Sequence, residues 1–232
     1  MTNKLIKEIN KIGQAMITDP GWKQFNDIES DFTKGIIPRC LYFEKNRKGK
    51  PIIIVGMNPG RASDEERRYF KNQIHQNYEA SVKFWHAKRK NYHGFYGPLR
   101  ELMDLSQIKG PILWTELVKC QSKAPLRKPL VNTIRYGISQ YLDKEISLFP
   151  KTTIIIAVGN EAYNLLSYVY PDRKVVGVPH PSPGSIMGNY AYRLKGKISS
   201  SLTSLIKKES KNSKIQAVQF IYNRRKKQFE AA

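Results

Sequence analysis

Runs of apolar residues alternate along the chain with segments of helical periodicity. Four runs consist mainly of β-branched and other large apolar residues, which is typical of strands buried on both faces of a parallel sheet: residues 52–56, 112–115, 152–159 and 174–178. Apolar residues recur at helical spacing in five other segments: residues 3–17, 99–103, 132–148, 160–169 and 194–206. This alternation predicts an α/β sandwich with a mainly parallel, four-stranded central sheet.

The same patterns predict one compact domain over residues 1–206, with residues 1–35 as a helical N-terminal extension. Asp19-Pro20-Gly21 ends the first helix. Residues 207–227 carry eight Lys and Arg residues against one acidic residue. This charge run predicts that residues 207–232 form a basic tail or a helix.

Composition narrows the class of protein. The 232 residues include 40 Lys and Arg against 19 Asp and Glu, a net charge of +21. Such a charge favours a polyanionic partner, nucleic acid first and a membrane surface second. Neither a membrane-spanning run nor the apolar segment of a signal peptide is found, so we expect a cytoplasmic protein. Cys40 and Cys120 are too few for a disulfide scaffold or a four-thiolate metal site.

Two loops that follow predicted strands carry the candidate chemistry. The first is Gly56-Met57-Asn58-Pro59-Gly60, at the carboxyl end of a strand, where α/β sheets bind ligands. The amide oxygen of Asn58 can hold a water molecule there, although the same residues also suit an ordinary tight turn. The second loop surrounds His180 with Pro179, Pro181 and Pro183, which makes it rigid. A lone loop histidine is more often a surface residue, but one placed between prolines after a core strand suits preorganised contacts.

In this order, the two loops resemble the two active-site motifs of the uracil-DNA glycosylase superfamily. Three further segments are similar to parts of that family: residues 94–99, 113–120 and 141–166. The segment 113–120 is similar to the thr-asn-x-val-lys-cys segment of the thermostable branch. The motifs resemble most this branch and the mismatch-specific and single-strand-selective branches, over about residues 36–206.

The resemblance implies a three-layer α/β/α sandwich of the uracil-DNA glycosylase type. It implies a monofunctional DNA glycosylase that hydrolyses the N-glycosidic bond of a flipped pyrimidine, uracil or a modified base, and leaves an abasic site. The implied partner is single- or double-stranded DNA. We expect a monomer that binds no cofactor and no metal and does not associate with a membrane.

The resemblance also implies roles for single residues. Asn58 would position the attacking water, with Glu65 or Glu66 as minor alternatives, and His180 would donate a hydrogen bond to the pyrimidine O2. The base would contact Gly56, Met57, Phe95, Tyr96 and Glu116, with Phe95 stacked on it and Tyr96 as the alternative. DNA would contact Pro59, Gly60, Ser182, Pro183, Gly184, Ser185 and Met187.

Three departures from the family limit this transfer of roles. Glu116 stands where the family usually has the asparagine that reads uracil, and a carboxylate accepts a hydrogen bond from the exocyclic amine of cytosine. Alternatively, Glu116 is out of register with that asparagine, or it is a structural carboxylate paired with Lys119 or Arg127. The two cysteines cannot hold the iron–sulfur cluster of the thermostable branch. Gly184 stands where some relatives insert a leucine into the duplex, so either Ile186 or Met187 acts as the wedge or the protein prefers single strands.

Two alternatives to the main functional interpretation stay open. One is a glycosylase for modified cytosines in foreign DNA, acting in defence. The other is a catalytically silent nucleic-acid-binding protein. Residues 64–100 are basic and interleaved with aromatic residues, which suits a groove that stacks bases, or else a helical hairpin with its aromatic side chains in the core.

Overall fold

A computed structural model describes residues 3–39, 41–45, 48–71, 77–90, 95–124, 128–181, 203, 217–223 and 228–231. Its α-helices are α1 (Asn3–Thr18), α2 (Asp64–Lys71), α3 (Tyr78–Lys90), α4 (Tyr96–Leu105), α5 (Val131–Gly137), α6 (Asp143–Ser147) and α7 (Asn160–Val169). Its strands are β1 (Ile28–Glu29), β2 (Tyr42–Glu44), β3 (Ile52–Gly56), β4 (Ile112–Glu116), β5 (Gln121–Ser122), β6 (Ile154–Val158), β7 (Val175–Val178), β8 (Ala217–Asn223) and β9 (Gln228–Ala231).

The central sheet has the strand order β2-β4-β3-β6-β7-β8-β9. The pairs β3–β6, β6–β7 and β7–β8 are parallel, with Ile52 opposite Ile154 and Ile155 opposite Val175, and β9 is antiparallel to β8. All residues of β3, β4 and β7 are buried, as expected for strands covered on both faces. The predicted α/β fold with a mostly parallel sheet flanked by helices is confirmed.

The described sheet has seven strands where four were predicted. The prediction of a basic tail or helix at 207–232 is wrong for β8 and β9, which extend the sheet beyond β7. The reason lies in the local sequence, since the run Ala217–Tyr222 is mainly apolar and contains β-branched and aromatic residues. Such a run pairs readily with an open strand edge, whatever the charge of its flanks.

The chain divides into two compact units, each built from several segments. The first unit comprises residues 1–43, 56–87 and 113–150, and the second comprises residues 44–55, 88–112 and 151–232. The prediction of one domain over residues 1–206 stays a prediction. None of the described helices has the length and apolar composition that crossing a bilayer requires.

In the first unit, the predicted helix at 132–148 is confirmed as α5 and α6, joined by a π-helical turn at Ile138–Leu142. Gly137 precedes this turn, and a Cβ at that position would collide with the carbonyl of Leu117. Glycine therefore lets the helix approach the segment after β4 closely.

Most aromatic residues of α2 and α3 lie in the interior of the first unit. Phe70, Phe84 and Trp85 are buried, and the ring centroids of Phe70 and Phe84 lie 5.4 Å apart. Tyr69 packs against both of these phenylalanines. For the buried residues, the alternative that places the aromatic side chains in the core is confirmed, and a base-stacking groove is wrong.

In the second unit, α7 packs against β6 and β7. The backbone N–H of Gly159, which precedes α7, donates to the carbonyl of Val178 at the end of β7 (2.8 Å). Gly159 has a φ of 89°, a left-handed conformation that favours glycine. This turn therefore joins the ends of the two strands that lead to α7 and His180.

Candidate active site

The loop after β3 runs beside the turn after β4 within the first unit. The N–H of Leu117 donates to the carbonyl of Gly56 (2.9 Å), and the N–H of Val118 donates to the carbonyl of Met57 (3.0 Å). These bonds continue the strand contact past the end of β4. They bring the predicted base-contacting residues Gly56 and Met57 next to the turn that begins at Glu116.

The side chain of Asn58 is half-buried and has a defined orientation. Its Nδ2 donates to the carbonyl of Pro59 (3.2 Å) and to Oγ of Ser122 (3.1 Å). Because a carbonyl oxygen can only accept, the atom facing Pro59 must be the nitrogen. Among the described residues, none donates to Oδ1 of Asn58, so this oxygen is available to accept a hydrogen bond from water.

Arg39 anchors the loop that carries Asn58, and the sequence reasoning missed it. Its side chain is 2% exposed, and its Nε lies 2.9 Å from Oε1 of Glu66. Its Nη2 donates to the carbonyl of Gly60, and its Nη1 lies 3.4 Å from Oε1 of Gln121. A planar guanidinium suits such a set of partners, because its donors are fixed relative to one another.

Gln121 continues this anchoring from the other side of the loop. Its Oε1 accepts a hydrogen bond from the N–H of Ala62 (2.7 Å), and its Nε2 donates to Glu29 (2.9 Å). Glu29 lies on β1, which pairs with β5. The backbone N–H of Arg39 also donates to the carbonyl of Lys119 (2.8 Å). The Asn58 loop is therefore held from several distant segments of the first unit.

Glu66 is buried and committed to Arg39. Burial raises the pKa of its carboxyl, against the opposing effect of the Arg39 cation. Glu65 is exposed. Glu66 therefore holds the arginine that anchors the loop, and this structural position counts against the minor alternative in which it assists the water.

Glu116, the last residue of β4, is 6% exposed. The ammonium of Lys119 donates to its main-chain carbonyl (2.7 Å), which fixes the turn that follows the strand. Lys119 is fully buried and pairs with the carboxylate of Glu145 (2.9 Å). Thr115 lies between them, accepting from Lys119 and donating to Glu145 at 2.5 Å each. Arg127, the other proposed partner of Glu116, lies outside the described residues.

The second unit holds the aromatic and histidine candidates. The ring of Phe95 lies 5.4 Å from that of His180, tilted by 49°, and 5.2 Å from that of Tyr96 in an edge-on contact. Tyr96 is buried and Phe95 is half-buried. Phe95 is therefore the more accessible of the two rings for stacking.

His180 is exposed to solvent, whereas Pro179 and Pro181 on either side of it are buried. Partial burial lowers the pKa of His180 below its usual value. The imidazole is therefore neutral at pH 7, with one N–H to donate. The remaining residues of this loop that were predicted to contact DNA lie outside the described residues: Ser182, Pro183, Gly184, Ser185 and Met187.

Asn58 follows β3, Glu116 closes β4 and His180 follows β7, and open α/β sheets generally bind ligands beyond the carboxyl ends of their strands. A family model of the uracil DNA glycosylase superfamily matches residues 44–203. The chain belongs to this superfamily, as the sequence resemblance indicated. A search of curated proteins finds no match. The particular branch of the superfamily stays a prediction.

Membership supports a DNA glycosylase-type function, because proteins of this superfamily are generally hydrolases that act on DNA. The roles of single residues, both in the first unit and in the second, stay predictions. Three further residues become candidate site residues because they help to hold the Asn58 loop: Arg39, Gln121 and Ser122. The one sequence signal for Arg39 is a cation within an otherwise uncharged run, residues 36–43.

Proposed function

We propose that the protein is a monofunctional DNA glycosylase that releases a flipped pyrimidine by hydrolysis. The observation that carries the proposal is the fixed amide of Asn58, whose two hydrogen bonds from Nδ2 leave Oδ1 to accept from water. Water held there would attack C1′ of the sugar as the C1′–N bond breaks. The bonding electron pair leaves with the base, the proton that the water loses neutralises the departing base, and an abasic site remains.

Two residues of the second unit have chemistry that suits this reaction. His180 is neutral at pH 7 because its pKa is lowered, and it would donate to the pyrimidine O2, where negative charge develops. Phe95 presents a half-buried ring that would stack on the base. Extruding the base costs a few kcal/mol, and stacking on an aromatic ring offsets part of that cost.

The proposal is tested with oligonucleotides that carry different pyrimidines, single- and double-stranded, scored for alkali-sensitive abasic sites. We expect wild type to release at least one base and Asn58→Ala to release it about 10²–10⁴-fold more slowly. Asn164→Ala, at an exposed position of α7, is the matched control and should keep the wild-type rate. DNA binding without abasic sites in wild type would replace the proposal with the silent-binder alternative.

Glu116 supports a narrower substrate class, cytosines and their 5-substituted forms. Its carboxylate is buried at the end of β4, and carboxylates accept from the exocyclic amine of cytosine, whereas they repel O4 of uracil. A glycosylase for modified cytosines would act on foreign DNA that contains them, as a defence. Efficient uracil release by wild type, undiminished in Glu116→Ala, would contradict this narrower assignment.

A further inference from the structure

The amide of Asn58 uses both of its N–H donors within the protein. One faces the carbonyl of Pro59 and the other faces Oγ of Ser122, at 3.2 and 3.1 Å. The Pro59 contact comes from the neighbouring residue and moves with the loop. The Ser122 contact comes from a residue 64 positions away, so of these two contacts it is the one that ties the amide to a separate element.

Ser122 is itself firmly placed. It belongs to β5, where it pairs with Ile28 of β1, and it is 9% exposed. The preceding residue, Gln121, binds the N–H of Ala62, beyond the far end of the Asn58 loop. The strand that carries Ser122 is therefore tied to the backbone that follows the Asn58 loop.

We propose that Ser122 is a positioning residue for Asn58, which rests on the glycosylase function proposed above. The last torsion of an asparagine side chain is soft and has no sharp minima. Oγ of Ser122 sets that torsion by accepting from Nδ2, and so directs Oδ1 toward the water. In this role Ser122 acts on the rate through Asn58 and needs no contact of its own with the water or the base.

The kinetic test compares Ser122→Ala with Ser122→Thr, which keeps the hydroxyl. We expect Ser122→Ala to lower the single-turnover rate about tenfold, the effect of one lost hydrogen bond, with little change in DNA affinity. Ser122→Thr should retain most of the rate. Ser147→Ala, at an exposed position of α6, is the control and should match wild type.

A double-mutant cycle separates positioning from a general effect on the fold. In the Asn58→Ala background, adding Ser122→Ala should change the residual rate by less than about twofold. A full tenfold loss in that background would overturn the proposal, because Ser122 would then act without Asn58.

A second readout does not depend on activity. In ¹H–¹⁵N spectra the side-chain NH₂ signals of Asn58, identified by their loss in Asn58→Ala, should exchange slowly in wild type and Ser122→Thr. They should exchange faster in Ser122→Ala. Unchanged exchange in Ser122→Ala would overturn the proposal.

The two readouts distinguish the positioning role from the proposed function. A wild type that releases no base from any substrate, with the exchange effect present, ends the glycosylase proposal and leaves Ser122 as the residue that orients Asn58. An active wild type matched by Ser122→Ala in both rate and exchange ends the positioning proposal alone.

Discussion

Two clusters of buried charged side chains in the first unit have similar contacts but bind different segments of the main chain. The Arg39 cluster consists of Arg39, Glu66 and Gln121, and the Lys119 cluster consists of Lys119, Glu145 and Thr115. In each, a buried cation binds both a carboxylate and one main-chain carbonyl. For Arg39 this is the carbonyl of Gly60, in the Asn58 loop, and for Lys119 it is that of Glu116.

The two cations differ in how far along the sequence their partners lie. The guanidinium of Arg39 contacts three separate segments through a planar set of donors, whereas the ammonium of Lys119 binds two groups within four residues of itself and one carboxylate. Buried ion pairs contribute little net stability compared with apolar packing. On the glycosylase function proposed above, we expect the first cluster to hold the Asn58 loop for catalysis and the second to hold the turn at Glu116 for base choice.

The largest expected effect comes from breaking the Lys119 cluster. Lys119→Met leaves the carboxylate of Glu145 buried without its cation, and removing one partner of a buried pair costs about 3–5 kcal/mol. Urea denaturation followed by circular dichroism measures the free energy of unfolding.

The exposed pair Lys151–Asp172 provides the control for that measurement. Its side chains are 76% and 53% exposed, so water solvates either charge when the other is removed. Lys151→Met should therefore change the free energy of unfolding far less than Lys119→Met. Equal losses in the two variants would contradict a structural role for the Lys119 cluster.

The next effect is on the rate, through the Arg39 cluster. Arg39→Lys keeps a positive charge near Glu66 but loses the fixed fork that reaches Gly60 and Gln121. We expect the single-turnover rate to fall about ten- to hundredfold on every accepted base, as for a small misplacement of a catalytic group.

A matched arginine-to-lysine change is available in the second unit. Arg100 pairs with Glu44 at 2.9 Å, and Arg100→Lys should keep a rate near that of wild type. If both variants lose the same factor, the Arg39 cluster has no special part in holding the Asn58 loop.

The smallest effect concerns pH and His180. Its pKa is lowered in the folded protein, while in the unfolded chain a histidine titrates near 6.5. Below that pH the unfolded state binds a proton that the folded state resists, so stability is present above about pH 6.5 and is lost as pH falls toward the lowered value. Urea unfolding at pH 7.5 and 5.5 should show a smaller loss for His180→Gln than for wild type, and identical losses would contradict the lowered pKa.

Much of the fold could be predicted because its signals are local. The four apolar runs form β3, β4, β6 and β7. Pro20 follows the end of α1, as expected. β8 was not predicted because many lysines and arginines flank its short apolar run, and the segment was assigned from their charge.

The candidate site likewise contains residues that the sequence could predict and residues that it could not. Asn58 could be found from its own loop, since the motif is contiguous. Arg39 and Ser122 could not, because their partners Gly60 and Asn58 lie 21 and 64 residues away. A polar contact over such a distance leaves no periodic pattern in the sequence.

One measurement tests most directly whether the Arg39 cluster acts on the rate and Glu116, whose main-chain carbonyl Lys119 binds, acts on base choice: the ratio of kcat/KM for uracil to that for a 5-substituted cytosine. We predict that Arg39→Lys lowers both values and keeps the wild-type ratio. Glu116→Gln should shift the ratio about tenfold or more toward uracil, because its amide can donate to O4. A changed ratio in Arg39→Lys, or an unchanged ratio in Glu116→Gln, would contradict the account.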